Sequence, residues 1–147
     1  MTQVRQVRPT PRAASQISAL TNENKDAFEQ WVREVRRQGC AAMEYALTGE
    51  DLAGLCCSHL RGRWRVIAAF PEATLVVVVA VGEHRDGKPD DVYDSLYAAM
   101  GIEEPPGRRD KPSCCEPDGS DPAVSGELVD AVSRRVRGAA RRGRRRS

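Results

Sequence analysis

The sequence of 147 residues predicts an α+β domain: an antiparallel sheet of about four strands with two N-terminal helices packed on one face. Three observations lead there. Two stretches with helical apolar spacing lie between Pro11 and Arg37. After Gly39 the apolar period falls from 3.6 to 2. A near-continuous apolar run, Thr74 to Val81, then reads as the strongest strand of the chain, central and covered on at least one face. Helices followed by a strand meander form a two-layer arrangement with the helices on one side of the sheet.

Each element has a local cause. Val4 to Arg8 reads as a short strand stopped by Pro9. Thr10-Pro11 opens a helix with a hydroxyl cap and a proline in the first turn, and Ala13, Ile17 and Leu20 give it an apolar side. A polar turn, Thr21 to Asn24, leads to a second helix, Lys25 to Arg37, which Asn24 is placed to cap. Its stripe is Phe28, Trp31, Val32 and Val35, and Gly39 stops it. So short a turn makes the two helices antiparallel neighbours.

Met43 to Thr48 is a weak strand or turn region, and Leu55–Leu60 and Trp64–Phe70 are short strands around the hairpin turn Arg61-Gly62-Arg63. Pro71-Glu72-Ala73 makes the next turn, Gly82 to Asp90 a polar loop, and Asp91 to Met100 a short helix. Residues 1–100 form the domain, 101–123 a Pro- and Gly-rich linker without a core of its own, and 124–147 a last helix capped by Ser125 that fades into an arginine-rich, disordered tail.

Composition narrows the functions. The longest mainly apolar run, Ala73 to Val81, has nine residues, about half of the roughly 20 needed to span a membrane. The N-terminal MTQVRQVRPTPR lacks a secretory apolar stretch, so a cytoplasmic protein without a membrane partner is expected. The net charge of +2 hides a division: residues 134–147 carry eight of the 23 basic residues, leaving 15 against 21 acids, net −6. Any attraction of the folded part for nucleic acid must therefore come from a local patch, while the tail is a nonspecific polyanion ligand by composition.

Cys40, Cys56-Cys57 and Cys114-Cys115 are odd in number and partly adjacent, in a chain read as intracellular. Reduced, structural thiols are therefore expected. No CxxC or HxxxH spacing marks a zinc site, and neither metal nor cofactor is expected.

The chemistry-bearing residues cluster around the hairpin. His59, Arg61, Arg63 and Arg65 alternate with Leu60, Gly62 and Trp64. On one straight strand all four would share a face; if Gly62 turns a hairpin, His59 or Arg61 faces Arg65 across two paired strands. The loop after the long strand brings His84 and Arg85 toward the same end of the sheet.

Val7-Arg8-Pro9-Thr10-Pro11-Arg12-Ala13, the strand Trp64-Arg65-Val66-Ile67, Val81-Gly82 followed by His84-Arg85, and Val92-Tyr93 stand in an order that resembles the RelE/ParE family of type II toxins. The resemblance covers residues 4 to about 100. It implies a toxin held by an antitoxin protein. A RelE-like member binds the ribosome and cuts mRNA without metal, activating a ribose 2′-hydroxyl against the adjacent phosphate; a ParE-like member is a noncatalytic gyrase inhibitor, and a repurposed binding protein on the same scaffold is a further alternative.

By position, the resemblance makes Arg65 and Arg85 the phosphate-stabilising cations, His84 or else His59 the proton-transfer group, and Tyr93 the residue that orients or stacks on substrate. His59, Arg61 and Arg63 would bind RNA, and Glu44 is a further candidate for a carboxylate base. The chain departs from the family pattern in having His59 and Arg61 where lysines are usual, an extra Glu83, and an insertion at 86–90 before Tyr93.

Overall fold

The structure, a computed structural model, describes residues 4–47, 52–85, 88, 90–102 and 111–130. The element order is β1 (Gln6–Pro9), α1 (Pro11–Ser18), α2 (Asn22–Gln38), a 3₁₀ turn (Gly39–Ala42), β2 (Tyr45–Ala46), β3 (Leu55–His59), β4 (Trp64–Glu72), β5 (Leu75–Glu83) and α3 (Val92–Ala99). The strands form one five-stranded sheet in the order β1-β5-β4-β3-β2.

The α+β architecture is as expected, with two corrections to the sheet. It has five strands rather than about four, and it is mixed, because β1 runs parallel to β5 while every other pair is antiparallel. The helix pair between β1 and the meander returns the chain to the same end of the sheet, which makes parallel pairing of β1 possible. The turn expected at Pro71-Glu72-Ala73 falls later, since β4 continues through Glu72 across a register irregularity.

The helix signals act locally as read, with one shift. Thr10 caps α1 by accepting the N–H of Ala13 at 3.2 Å, with Pro11 as the first helical residue. Its own N–H donates to the Val78 carbonyl at 2.9 Å, so this capping residue also ties α1 to β5. Helix α2 starts at Asn22, with Thr21 rather than Asn24 at its N-cap position. Beyond the end of β1, the Gln16 side chain accepts the N–H of Val81 at 2.8 Å and satisfies a donor that the short strand leaves unpaired.

The sheet is covered on both faces. Against α1 and α2 lie Cys56, Val66, Ala68, Phe70, Val76 and Val78, packed with Phe28, Trp31 and Val35. Each of those three helix side chains contributes roughly 1.5–3 kcal/mol by leaving water. On the opposite face Leu55, Ile67, Ala69 and Val79 pack with Val92, Leu96 and Tyr97 of α3. The alternation of side chains along each strand assigns alternate residues of one sequence to two separate cores.

The expectation of reduced cysteines is overturned. Cys40 is bonded to Cys115 and Cys56 to Cys114, with Cα atoms 5.3 and 5.7 Å apart, and Cys57 alone remains a thiol. Adjacent residues of β3 point to opposite faces, so Cys56 meets the C-terminal segment while Cys57 is buried on the α3 side.

The segment expected as a linker therefore shares the domain core over its described part. Cys114 is buried in the helix-side cluster, Pro112 accepts the Ala46 N–H at 2.8 Å, and Arg5 pairs with Asp121 at 2.5 Å. Residues 126–130 are helical, and the Ser125 hydroxyl accepts the N–H of Leu128 at 2.9 Å as expected of a cap. The arginine tail lies outside the described residues.

Candidate functional site

The hairpin decides which basic residues meet. Strand β3 ends at His59 and β4 begins at Trp64. The turn closes with Leu60 N–H on the Trp64 carbonyl and Trp64 N–H on the Arg61 carbonyl, both at 2.9 Å. Gly62 sits at φ 57°, a left-handed conformation that glycine adopts without strain. The single straight strand is thus excluded, and the four basic residues do not share a face.

His59 stands directly opposite Arg65 in the ladder, and Arg65 stands opposite Gly82 of β5. Arg61 leaves the group: its guanidinium pairs with Glu23 at the start of α2, at 2.9 Å. Arg63 contributes its backbone, its carbonyl accepting the His84 N–H at 2.7 Å. Arg85 donates its N–H to Asp91 Oδ1 at 2.6 Å, and its guanidinium pairs with Asp90 at 2.9 Å rather than standing beside Arg65.

Two histidine–carboxylate pairs flank the ends of the three central strands. In the first, His59 Nδ1 is bonded to Glu44, and both side chains are substantially exposed. In the second, His84 Nδ1 is bonded to Asp91 Oδ1 at 2.7 Å, with the Asp91 side chain only 3% exposed. Asp91 is also the N-cap of α3, its Oδ2 accepting Tyr93 N–H at 3.0 Å and Asp94 N–H at 3.1 Å. Burial pushes the Asp91 carboxyl up, but the N–H of Asp94, the imidazole of His84 and the N–H of Arg85 outweigh it and hold the group below the ordinary carboxylate range. An ionised carboxylate accepts only, so each Nδ1 carries the proton toward its partner and Nε2 becomes the basic nitrogen.

The two pairs are joined by aromatic rings. The His59 ring meets Tyr45 edge-on, with centroids 6.4 Å apart, and the His84 ring meets Tyr93 edge-on at 5.0 Å. Between them the Tyr45 and Tyr93 hydroxyls lie 2.7 Å apart, and the Tyr93 hydroxyl lies 3.0 Å from Cys57 Sγ.

Burial raises the Tyr93 hydroxyl far above its ordinary value, and the neighbouring Cys57 and Tyr45 raise it further. Burial likewise raises the Cys57 thiol and the Tyr45 hydroxyl. Cys57 is therefore protonated at neutral pH and is a structural donor, not a nucleophile.

Arg65 lies on the same face. Its Nη1 donates to the Gly62 carbonyl at 3.0 Å and to the Trp64 carbonyl at 3.1 Å, and its buried Nε–H has no protein partner among the described residues. An unpartnered buried guanidinium donor is costly unless a ligand completes it. His59 with Glu44, Arg65, and His84 with Asp91 thus form a polar end to the α3 face.

Tyr93 is corrected in kind. The residue is 2% exposed and its hydroxyl is engaged by Tyr45 and Cys57, so it offers no face for a base to stack on. It supports His84 instead. Sequence reasoning also missed Asp91 and Tyr45. An aspartate opening the helical segment DVYDSL was a visible cap signal. Nothing local marks Tyr45, because its role depends on the Cys57 register across β2 and β3.

No family model and no curated protein matches the chain; among solved structures it is similar to a chain of the RelBE2 toxin–antitoxin complex from Mycobacterium tuberculosis, at 25% identity and a TM-score of 0.47, over 56% of this chain and 99% of that one.

Proposed function

We propose that this protein is a RelE-like toxin, held by an antitoxin protein, that inhibits translation by cutting mRNA without a metal ion. The observation that carries the reading is Arg65, with an unsatisfied buried donor, set between two imidazoles that are each oriented by a carboxylate. The ordered sequence motifs and the element order strand–helix–helix–meander–helix support it.

The chemistry needs three functions and the face supplies each. One imidazole Nε2 takes the ribose 2′-hydroxyl proton, and the oxygen attacks the adjacent phosphorus. Arg65 stabilises the negative charge gathered on the phosphoryl oxygens. The second imidazole, entering the step as the imidazolium with a proton on Nε2 as well as Nδ1, delivers that Nε2 proton to the departing 5′-oxygen, leaving a cyclic phosphate. Glu44 and Asp91 hold the rings in the productive tautomer, and Tyr93 fixes the position of His84. Arg85, neutralised by Asp90, acts on substrate only if that pair opens.

The test is translation-dependent mRNA cleavage by wild type, His59→Ala, His84→Ala and Arg65→Lys. Lysine keeps the charge and loses the planar fork, so Arg65→Lys should cut far more slowly than it binds. Each histidine variant should lose roughly 10²-fold or more in rate, as loss of a proton-transfer group does. Growth inhibition equal to wild type in all three variants, with no cleaved mRNA, would remove the nuclease reading and leave a noncatalytic inhibitor.

A further inference from the structure

The C-terminal segment brings a second cation to this face. Residues 111–115 cross the open edge of β2: Cys114 and Cys115 are fastened on the helix side to Cys56 and Cys40, Pro112 accepts the Ala46 N–H at the edge itself at 2.8 Å, and Lys111 emerges on the α3 side. There the Lys111 ammonium lies 5.4 Å from the centre of the Tyr45 ring, the same ring that His59 meets edge-on. Lys111 is itself exposed. Lys111 stands three positions before Cys114, a tether of about 10 Å at full extension, so the disulfides confine the ammonium to the neighbourhood of His59.

We propose that Lys111 is a phosphate-binding residue of the RNA site, and that the Cys40–Cys115 and Cys56–Cys114 bonds set its contribution by holding the strap across β2. The inference rests on the RNA-directed reading of this face. Cys57 takes no part in the fastening, since its thiol is buried on the α3 side with Tyr93, across β3 from both disulfides. Reduction by a dithiol transfers two electrons and two protons to each disulfide, giving two thiols while the dithiol closes to its own disulfide. Four thiols on 40, 56, 114 and 115 then no longer fasten the strap, and the ammonium is free to leave Tyr45. Disulfides in proteins of reducing compartments are typically labile and redox-sensing, which fits adjacent cysteines that staple one short segment.

The experiment uses the full chain and a short 2′-O-methyl oligoribonucleotide, which binds but lacks the nucleophile for cleavage. Binding is measured against salt concentration for wild type, Lys111→Gln and Lys111→Arg, each with the disulfides formed and after dithiol reduction; alkylation under denaturing conditions counts the thiols in each sample. With the disulfides formed, Lys111→Gln should lower the salt slope by about 0.7, the value for one single-strand phosphate contact, and Lys111→Arg should restore it. After reduction, wild type and Lys111→Gln should coincide. Equal slopes for wild type and Lys111→Gln in the oxidised samples overturn the proposal, as does a deficit unchanged by reduction, or five alkylated thiols in protein purified without reductant. If the pattern holds but no mRNA is cut, the cleavage reading falls and the Lys111 site stands. If mRNA is cut and Lys111→Gln binds and cuts as wild type does, the reverse is true. Absence of binding by wild type overturns the Lys111 site and leaves the cleavage reading to the translation-dependent assay.

Discussion

On the face covered by α1 and α2, the sheet presents Val66, Ala68, Phe70, Val76 and Val78 to Phe28, Trp31 and Val35. On the face covered by α3, Ile67, Ala69 and Val79 pack with Val92 and Leu96, but Cys57, Tyr45 and Tyr93 carry a hydroxyl–thiol network toward His59, Arg65 and His84. The same strands build both faces. The long helix α2 closes the first with apolar bulk, whereas the eight-residue α3 spans only part of the second, and the remainder is finished by polar groups. One face carries the stability of the domain by volume. The other spends some of its burial on groups that must be satisfied by hydrogen bonds and are therefore available to chemistry.

The contrast can be broken most sharply at Trp31. It is 3% exposed on the helix face, so Trp31→Ala should lower the unfolding free energy by about 3–5 kcal/mol, read from denaturant melts. A loss below about 1 kcal/mol would mean that the face relaxes around the cavity and is not the rigid side of the sheet.

An intermediate effect is expected at Asp91, where one carboxylate caps α3 and orients His84. Asp91→Ala should cost about 1–3 kcal/mol at neutral pH, from a lost cap and from donors left without an acceptor. The sign with pH follows from the direction of the shift. The folded-state carboxyl titrates below its unfolded value, so its stabilisation is complete above about pH 4 and fades as the pH falls through the lower, folded-state value. Chemical melts of wild type and Asp91→Ala should accordingly converge as the pH drops below about 4. Curves that stay parallel would show that the buried charge contributes nothing.

The smallest change tests the polar network alone. Tyr93→Phe keeps the ring against His84 and removes the oxygen that joins Tyr45 to Cys57. It should cost about 1 kcal/mol in a melt while leaving the far-ultraviolet spectrum unchanged. A neutral or stabilising result would mean the hydroxyl is kept for function rather than for the fold.

How far the sequence reached differs between fold and site. Thr10-Pro11, the Phe28–Val35 stripe and the run to Val81 were legible because each signal spans fewer than about 18 residues and acts through local geometry. His59 opposite Arg65 was legible as one of two alternatives, and Gly62 at positive φ selects it. The divergence of Arg61 to Glu23 and of Arg85 to Asp90 was not legible, because each depends on where a carboxylate on another turn comes to rest. The burial of Tyr93 was legible as one of two alternatives, because Tyr93 and Tyr97 stand four apart on a short helix and can pack together against the sheet. The helical period alone does not choose that over a role at the substrate.

By itself the sequence determined the main helices and strands, and it placed a glycine turn with basic residues on either side between Leu55 and Phe70. Only the tertiary structure decided that β1 pairs parallel with β5 across about 70 residues, that Cys40 and Cys56 meet Cys115 and Cys114, and that Glu44 and Asp91 complete the two histidine pairs. The physical reason is range. Backbone sterics and periodicity act between residues a few positions apart, while long-range pairings are chosen by the closest packing of all the apolar faces together, a property of the whole chain that no single window contains.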